Sequence, residues 1–291
     1  MNCIFRHIVT IILQLGLLLS PVLAQAAESA PKPILLGILS TAEPARIHAE
    51  WQPFTDYLSR AIGQPVAVTV PRGFEKLVEF IDGGKVDIFY VNSYVMYRAK
   101  EKGKAAPIAQ MMNLNGSVLS RSIVFVRGDS GISQISQLKG EKVAFVSPSG
   151  AGGYLSPRAM FYQAGIKTKE ETKEEFTQNL SSSIHKVLLG DVKAGAMCGL
   201  NFKLMSEKLN TGELKTISTS EDYAEDAIGA NPAMDDELRQ RITRAVTGMH
   251  DSEAGRKVFA GMRDLKVLKF VPYDANVTET VTRKLIREAK M

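Results

Sequence analysis

The sequence predicts an α/β protein of two lobes, and three observations carry this prediction. Short apolar runs alternate with longer segments whose apolar residues recur at helical spacing, as Ile47, Trp51 and Phe54 do after a first strand at 34–39. Strands and helices alternating at these lengths indicate parallel pairing with right-handed crossovers. The alternation restarts after Ser120, and a chain of 291 residues is long enough for two hydrophobic cores.

The predicted strands and helices divide the chain into two lobes joined by a hinge. Predicted strands cover residues 34–39, 66–70, 86–91, 123–126, 143–146, 194–198 and 214–217. Predicted helices cover residues 47–62, 74–81, 93–102, 132–138, 153–164 and 181–188, and further helices follow in the C-terminal part. We assign residues 27–119 with 220–291 to lobe 1 and residues 120–219 to lobe 2. The crossings near Ser120 and Ser218 are expected to act as a hinge beside an interdomain cleft.

Residues 1–26 are predicted to be a secretory signal peptide. After Arg6, the segment Ile8–Leu19 is almost entirely apolar, but its length of about 12 residues is too short for a membrane span of about 20. Small residues place the cleavage site near Ala24 or Ala26. The mature chain is therefore expected in the periplasm.

Composition and charge exclude several classes of partner and cofactor. Lys and Arg number 36 against 31 Asp and Glu, without a dense basic run, so no nucleic-acid partner is expected. Cys3 belongs to the signal peptide, which leaves Cys198 as a single thiol, predicted to be buried in the core. The four histidines lack metal-ligand spacing, so neither a metal nor another cofactor is expected. No nucleophile motif is present, and nothing assembles a triad or paired acidic residues with any specificity, which favours a binding protein over an enzyme.

A glycine-rich turn is the most informative motif of the sequence. Gly150, Ala151 and Gly152 follow the predicted strand at 143–146 and precede the predicted helix at 153–164. Backbone N–H groups at the start of a helix, together with the helix dipole, form a ready site for an anion. The turn lacks the Gly-Lys-Ser/Thr of a phosphate-binding loop and the third glycine of a dinucleotide fingerprint. It is either a cradle for an anionic or polar ligand, or simply a tight turn that requires glycine.

Four polar side chains elsewhere are candidate ligand contacts. Tyr90 and Asn92 follow the third strand, although Asn92 is equally suited to cap the next helix. Arg121 lies at the hinge, from which its guanidinium could reach an anion. His185 lies early in a predicted helix after a serine-rich run, where it could meet an anion or form a structural hydrogen bond to a serine.

Several segments resemble those of a known family. They are Trp51-Gln52-Pro53-Phe54, Val86-Asp87-Ile88, Asp129-Ser130-Gly131-Ile132, Leu138-Lys139-Gly140, Gly153-Tyr154-Leu155-Ser156-Pro157 and the serine-rich run that ends at His185. Over nearly the whole mature length the chain resembles the periplasmic phosphate/phosphite/phosphonate-binding proteins of ABC transporters.

This resemblance implies a type II periplasmic binding protein fold that closes around a small ligand. Family tyrosines match Phe74 in the first lobe and Ser120 near the hinge, and the family histidine matches His185. The Ser-Thr-Ser run that holds phosphonate oxygens in the family matches residues 150–152, where this chain has no hydroxyl groups. A larger or less charged ligand would fit such a turn equally well.

The resulting hypothesis is a monomeric solute-binding protein of an ABC importer. Its ligand is expected to be small, polar and anionic, of the phosphonate or phosphate type, and its partner would be a membrane permease. The alternative is a periplasmic sensory module that reports the ligand to a membrane receptor such as a histidine kinase. An exported enzyme on the same fold is a third possibility.

Overall fold

The chain forms two separate β-sheets, which the computed structural model describes within residues 31–291. The first sheet contains β1 (Ile34–Ile38), β2 (Val66–Thr69), β3 (Ile88–Val91), β4 (Ala106–Asn113), β10 (Ala227–Ala230) and β11 (Val267–Pro272). The second contains β5 (Leu119–Arg127), β6 (Lys142–Phe145), β7 (Lys173–Phe176), β8 (Ala194–Cys198) and β9 (Leu214–Ala224). The predicted signal peptide at residues 1–26 lies outside the described residues. Each sheet with the helices packed on it is called a lobe below.

Both sheets combine a parallel part with antiparallel strands. The first sheet has the order β11–β4–β10–β3–β1–β2, in which β1 is parallel to β2 and β3, and β10 is antiparallel to β3 and β4. The second has the order β7–β6–β8–β5–β9, in which β6 is parallel to β7 and β8, and β5 is antiparallel to β8 and β9. Loops that follow parallel strands gather at the carboxyl edge of a sheet, where ligands bind in α/β folds.

Ten α-helices cover these sheets within the described residues. They are α1 (Pro44–Ile62), α2 (Phe74–Asp82), α3 (Ser93–Glu101), α4 (Ser156–Gln163), α5 (Thr168–Glu171), α6 (Leu180–Leu188), α7 (Gly199–Ser206), α8 (Asp236–Thr247), α9 (Glu253–Gly261) and α10 (Ala275–Glu288). Between residues 31 and 291 no helix is both long and apolar enough to cross a membrane.

Helix α1 illustrates how the sequence determines these elements. Pro44 occupies its first turn, where the missing N–H costs nothing, and Gly63 ends it with a left-handed φ of 70°. Trp51 and Phe54, three residues apart, are 1% and 0% exposed and lie in the core of the first lobe. Their rings contact Tyr90 of β3 at 4.7 Å and Phe270 of β11 at 5.8 Å, respectively, which fixes the helix on the sheet.

The two-lobed fold class is confirmed, and the structure adds what periodicity did not predict. The strand at 194–198 has the predicted bounds, and most other predicted elements agree within a few residues. Strands β4, β10 and β11 were missed, because they join the sheet through antiparallel pairs with distant segments rather than through a local repeat. The predicted helix at 132–138 is only a 3₁₀ turn over Ile135–Leu138. The predicted thiol in the core is confirmed, since Cys198 is free and 4% exposed.

The chain passes between the sheets twice. The first crossing, residues 114–118, joins β4 to β5, and the second is the dipeptide Glu225-Asp226 between β9 and β10. This second crossing lies beyond the expected position near Ser218, because β9 continues to pair with β5 as far as Ala224. The lobe boundaries at 119/120 and 219/220 stay a prediction.

A buried arginine connects α4 to the C-terminal end of the chain. The Arg158 Nε donates to the carbonyl of Ala289 at 2.7 Å, and its other nitrogens donate to Tyr154, Thr168 and Tyr162 at 3.0–3.2 Å. Helix α10, just before Ala289, also packs on α3 of the first lobe. Arg158 therefore holds a helix that contacts both lobes.

Replacing this arginine tests its structural role. Arg158→Leu would leave the Glu174 carboxylate, which lies 3.8 Å from the guanidinium and is only 11% exposed, without its cation. Because an unpaired buried charge is costly, we expect the free energy of unfolding to fall by about 3–5 kcal/mol, measured by urea denaturation. The exposed Arg60→Leu is the control, expected within about 0.5 kcal/mol of wild type. Equal effects of the two substitutions would contradict this role.

Candidate ligand-binding site

A cavity of about 120 Å³ lies between the lobes, where loops from both sheets meet. Residues that follow strands of both sheets contribute to its wall, with Thr41, Phe74, Asn92, Gly150 and Asn201 as examples. Most of these residues lie just after parallel strands, as expected for the carboxyl edges of two facing α/β sheets. Among residues 31–291 no group of three His, Cys, Asp or Glu side chains could hold a metal ion.

The glycine-rich turn forms one wall of this cavity. A single turn of π-helix spans Ala151–Leu155, closed by a bond from the Leu155 N–H to the Gly150 carbonyl at 2.9 Å, and α4 follows directly. The first N–H groups of a helix have no carbonyl within the helix to bond. Those of Ala151, Gly152 and Gly153 therefore lie at the positive end of the dipole, on the wall of the cavity. Turns of π-helix inside helices are frequent at functional sites.

Close packing explains the glycines of this turn. A Cβ on Gly152 would lie 2.2 Å from the hydroxyl oxygen of Tyr223, and one on Gly153 would lie 2.8 Å from the Cβ of Val146. Real Cβ atoms do not approach other atoms so closely. The space expected to be open above the turn is therefore occupied, and its occupant is a phenol ring from β9.

Asn92 performs two structural roles at once. Its Oδ1 accepts from the N–H groups of Tyr94 and Val95 at 3.1 Å and so caps α3. Its Nδ2 donates to the carbonyl of Ser149 at 3.0 Å, across the two lobes. A second bond between the lobes runs from the Ser147 hydroxyl to Glu75 at 3.0 Å. These contacts hold the lobes together around the cavity.

A buried cluster of charges forms the hinge side of the cavity. The Lys266 ammonium contacts Glu225, whose side chain is fully buried, and lies 3.7 Å from the Asp226 carboxylate. Burial acts to lower the pKa of Lys266, but the charges of Asp226 and Glu225 outweigh it and raise that pKa. The Tyr90 hydroxyl donates to Asp226 at 3.0 Å. Burial first, and then both carboxylates, raise the pKa of Tyr90, so this hydroxyl stays protonated.

The structure brings six of the nine predicted site residues to the cavity wall: Phe74, Tyr90, Asn92, Gly150, Ala151 and Gly152. The wall found for residues 31–291 does not include Ser120, Arg121 or His185. Ser120 is buried 3.3 Å from the Cys198 sulfur, and Arg121 is exposed with its Nε 2.7 Å from Asp222. His185 lies on the exposed side of α6. Ligand contact by these nine residues stays a prediction.

Sequence reasoning missed four polar residues of the wall: Tyr223, Asp226, Asp264 and Lys266. Tyr223 pairs directly opposite Ser120 between β9 and β5, so the aromatic residue expected near the hinge lies one strand away. One signal in the sequence could have indicated this side of the cavity. The dipeptide Glu225-Asp226 lies at a crossing between the sheets, and carboxylates that are buried there require a cation. Nothing local in the sequence identifies Lys266 as that cation.

The family model of periplasmic substrate-binding proteins of phosphonate ABC transporters matches residues 36–277 of this chain. The chain belongs to this family. Its substrate-binding role follows, and proteins of this family are exported to the periplasm. The type II fold is supported by the solved structures that superpose on the chain.

Individual relatives agree with this family. The Phosphate-import protein PhnD of Mycolicibacterium smegmatis is 25% identical over 230 residues, covering 74% of this chain and 71% of that protein. The tetrathionate sensor histidine kinase TtrS of Salmonella typhimurium is 22% identical over 228 residues, or 72% of this chain but only 38% of the kinase. A binding component of a Pseudomonas aeruginosa phosphonate ABC transporter superposes with a TM-score of 0.78 at 20% identity, over 90% of this chain and 87% of that one.

Two substitutions of Asn92 separate its roles. Asn92→Ala removes the cap and should lower the free energy of unfolding by about 1 kcal/mol. Asn92→Asp keeps an acceptor for α3 but has no N–H for Ser149, so it should retain more stability than Asn92→Ala. Both variants should show a larger radius of gyration than wild type in small-angle scattering. A wild-type radius for Asn92→Asp would mean that this bond does not hold the lobes.

Lys266→Met tests the charge cluster. The substitution leaves the carboxylates of Glu225 and Asp226 without their cation. The free energy of unfolding at pH 7, measured by urea denaturation, should therefore fall by about 3–5 kcal/mol. In wild type the raised pKa of Lys266 keeps its contribution complete below about pH 10, and it is lost only as the pH rises further.

The exposed Lys203→Met is the control for this substitution. It should change stability by at most about 0.5 kcal/mol. A loss in Lys266→Met that is as small as the loss in the control would contradict the role of the cluster.

Proposed function

We propose that this chain is the binding component of an ABC importer for a small ligand that carries both an acid group and a cationic or hydrogen-bond-donating group. The observation that carries this proposal is the pairing, on one cavity, of the N–H groups at Ala151–Gly153 with the carboxylate of Asp226. An acid group would accept from the N–H groups. A donor group, such as an ammonium, would meet Asp226.

The charge of the cavity wall supports a donor in the ligand. Lys266 is the one cationic side chain on the wall within residues 31–291, and it already faces both Glu225 and Asp226. The cluster thus carries a net charge of −1, which opposes a purely anionic ligand near the hinge. The Asp226 side chain is 21% exposed, and its Oδ1 accepts no hydrogen bond within the described part of the chain. This oxygen is the natural acceptor for an ammonium group.

The mode of action requires no chemistry by the protein. Ligand bound between the lobes favours the closed arrangement, in which Asn92 bonds to Ser149 and Ser147 bonds to Glu75. The closed surface would be presented to a membrane permease by a monomer in the periplasm, after cleavage near Ala24 or Ala26. Residues 27–119 with 220–291 and residues 120–219 are the two halves that would move.

Matched pairs of phosphonates test this function. Methylphosphonate against aminomethylphosphonate, and ethylphosphonate against 2-aminoethylphosphonate, differ only in the amine, and inorganic phosphate completes the panel. By titration calorimetry we expect the amino-bearing member to bind at least tenfold more tightly, about 1.4 kcal/mol. Asp226→Asn should remove this preference while keeping methylphosphonate binding. Absence of binding for the whole panel, or equal binding within each pair, would overturn the ligand class.

The sensory alternative retains one specific observation, the similarity to the tetrathionate sensor kinase over most of this chain. Tetrathionate is therefore a second probe. Because it reacts with thiols, it is titrated against Cys198→Ser, with the phosphonate panel on the same variant as the reference. Binding of tetrathionate in preference to every phosphonate would favour the sensory role.

A further inference from the structure

We propose that Tyr223 is a ligand-binding and specificity-determining residue, whose hydroxyl enters the ligand cavity because position 152 is glycine. This inference rests on the proposed function and adds a contact that neither the sequence analysis nor that function assigned.

Tyr223 reaches the cavity from the hinge end of β9. It is 2% exposed and lies on the cavity wall, two residues before Glu225. Its backbone is fixed by pairing with Ser120 on β5. The side chain is thus closed to bulk solvent and borders the space where a ligand would lie.

The approach of Tyr223 to the turn is closer than any other residue type at position 152 allows. A Cβ there would lie 2.2 Å from the hydroxyl oxygen and 2.6 Å from the ring carbon that bears it. The phenol oxygen therefore stands where a side chain of residue 152 would project. It lies beside the N–H groups that begin the turn. One acid group of a ligand could therefore accept hydrogen bonds from the phenol hydroxyl and from these N–H groups.

The hydroxyl is available as a donor. Burial has the largest effect on the pKa of Tyr223, followed by the electrostatic effects of Cys198 and Glu225. Together they raise this pKa well above its usual value, so the O–H keeps its proton. The Cys198 thiol, as a hydrogen-bonding neighbour of this hydroxyl, also raises the pKa of Tyr223. Sulfur is a weak acceptor, so an anionic oxygen of a ligand would replace it favourably.

The contact between Tyr223 and Gly152 also limits which ligands the site accepts. The ring is in direct contact with the turn at Gly152, so the tyrosine fills the volume that the missing side chain would otherwise leave open. A ligand acid group must therefore fit against a rigid aromatic surface. Loss of the ring, as in Tyr223→Ala, should admit bulkier acids.

Tyr223→Phe removes the hydroxyl and keeps the ring. Calorimetry with aminomethylphosphonate should show affinity reduced by about 10- to 100-fold, as for a lost hydrogen bond to a charged group. Tyr57→Phe is the matched control, because its hydroxyl lies 3.3 Å from Ser252 and off the cavity wall, and its affinity should equal that of wild type. Thermal denaturation establishes that both variants are folded.

A reciprocal exchange tests the pairing itself. Gly152→Ser alone should abolish measurable binding, because the new side chain collides with the ring. Gly152→Ser combined with Tyr223→Ala moves the hydroxyl from the ring to the turn, and should restore measurable binding of aminomethylphosphonate. A double variant no better than Gly152→Ser would overturn the pairing.

The outcomes separate this inference from the proposed function. Wild-type affinity in Tyr223→Phe, with the ligand panel still bound, would overturn the role of Tyr223 and leave the function standing. Failure of wild type to bind any phosphonate or phosphate would overturn the proposed function, and the role of Tyr223 with it.

Discussion

The buried ion pair between Lys266 and the hinge dipeptide Glu225-Asp226 is the interaction on which the site depends. Taking these charges out of water is expensive, and it is offset only where every remaining lone pair finds a donor. The protein meets this condition for Glu225, whose other oxygen accepts from Asn113 at 3.0 Å and whose carbonyl accepts from Gln110 at 2.6 Å. Lys266 itself adopts a left-handed backbone with φ of 59°, a conformation that a non-glycine residue holds only when its surroundings require it. The path of the chain between the sheets is fixed by this cluster.

The cavity inherits its chemistry from that fixed path. Tyr223 is the penultimate residue of β9, and Glu225 is the first residue of the crossing that follows. Tyr223 lines the cavity, and Glu225 anchors the hinge. Asp226, next in the chain, bonds to Tyr90 from the first lobe and borders the cavity as well. A shift of β9 by one residue would remove all three groups, so strand register and ligand chemistry are linked here.

The distance along the chain between interacting residues decides whether the sequence predicts their interaction. The alternation of strands and helices, the glycine turn and the loops after parallel strands are local patterns, and the structure has them nearly as predicted. Tyr223 and Gly152 are 71 positions apart in the numbering and meet only through the pairing of β5 with β9. Lys266 reaches Glu225 across 41 positions, from a segment that carries no motif. Antiparallel register and long-range ion pairs leave no periodic pattern in the sequence. For this reason the sequence analysis found the glycine-rich turn but missed the hinge side of the site.

The glycine turn shows why residue types at a motif are an incomplete guide to a binding site. Compared with the hydroxyl-bearing run of the family, glycine and alanine at 150–152 suggest lost donors and added space. In the folded chain the backbone donors remain at the start of the helix, and the space above Gly152 holds the hydroxyl of Tyr223. A ligand meets atoms rather than motif positions, and the atoms at one point can come from another strand. The absence of side chains at the turn is therefore the geometric condition for a donor supplied from β9, and it is no argument against a ligand with an acid group.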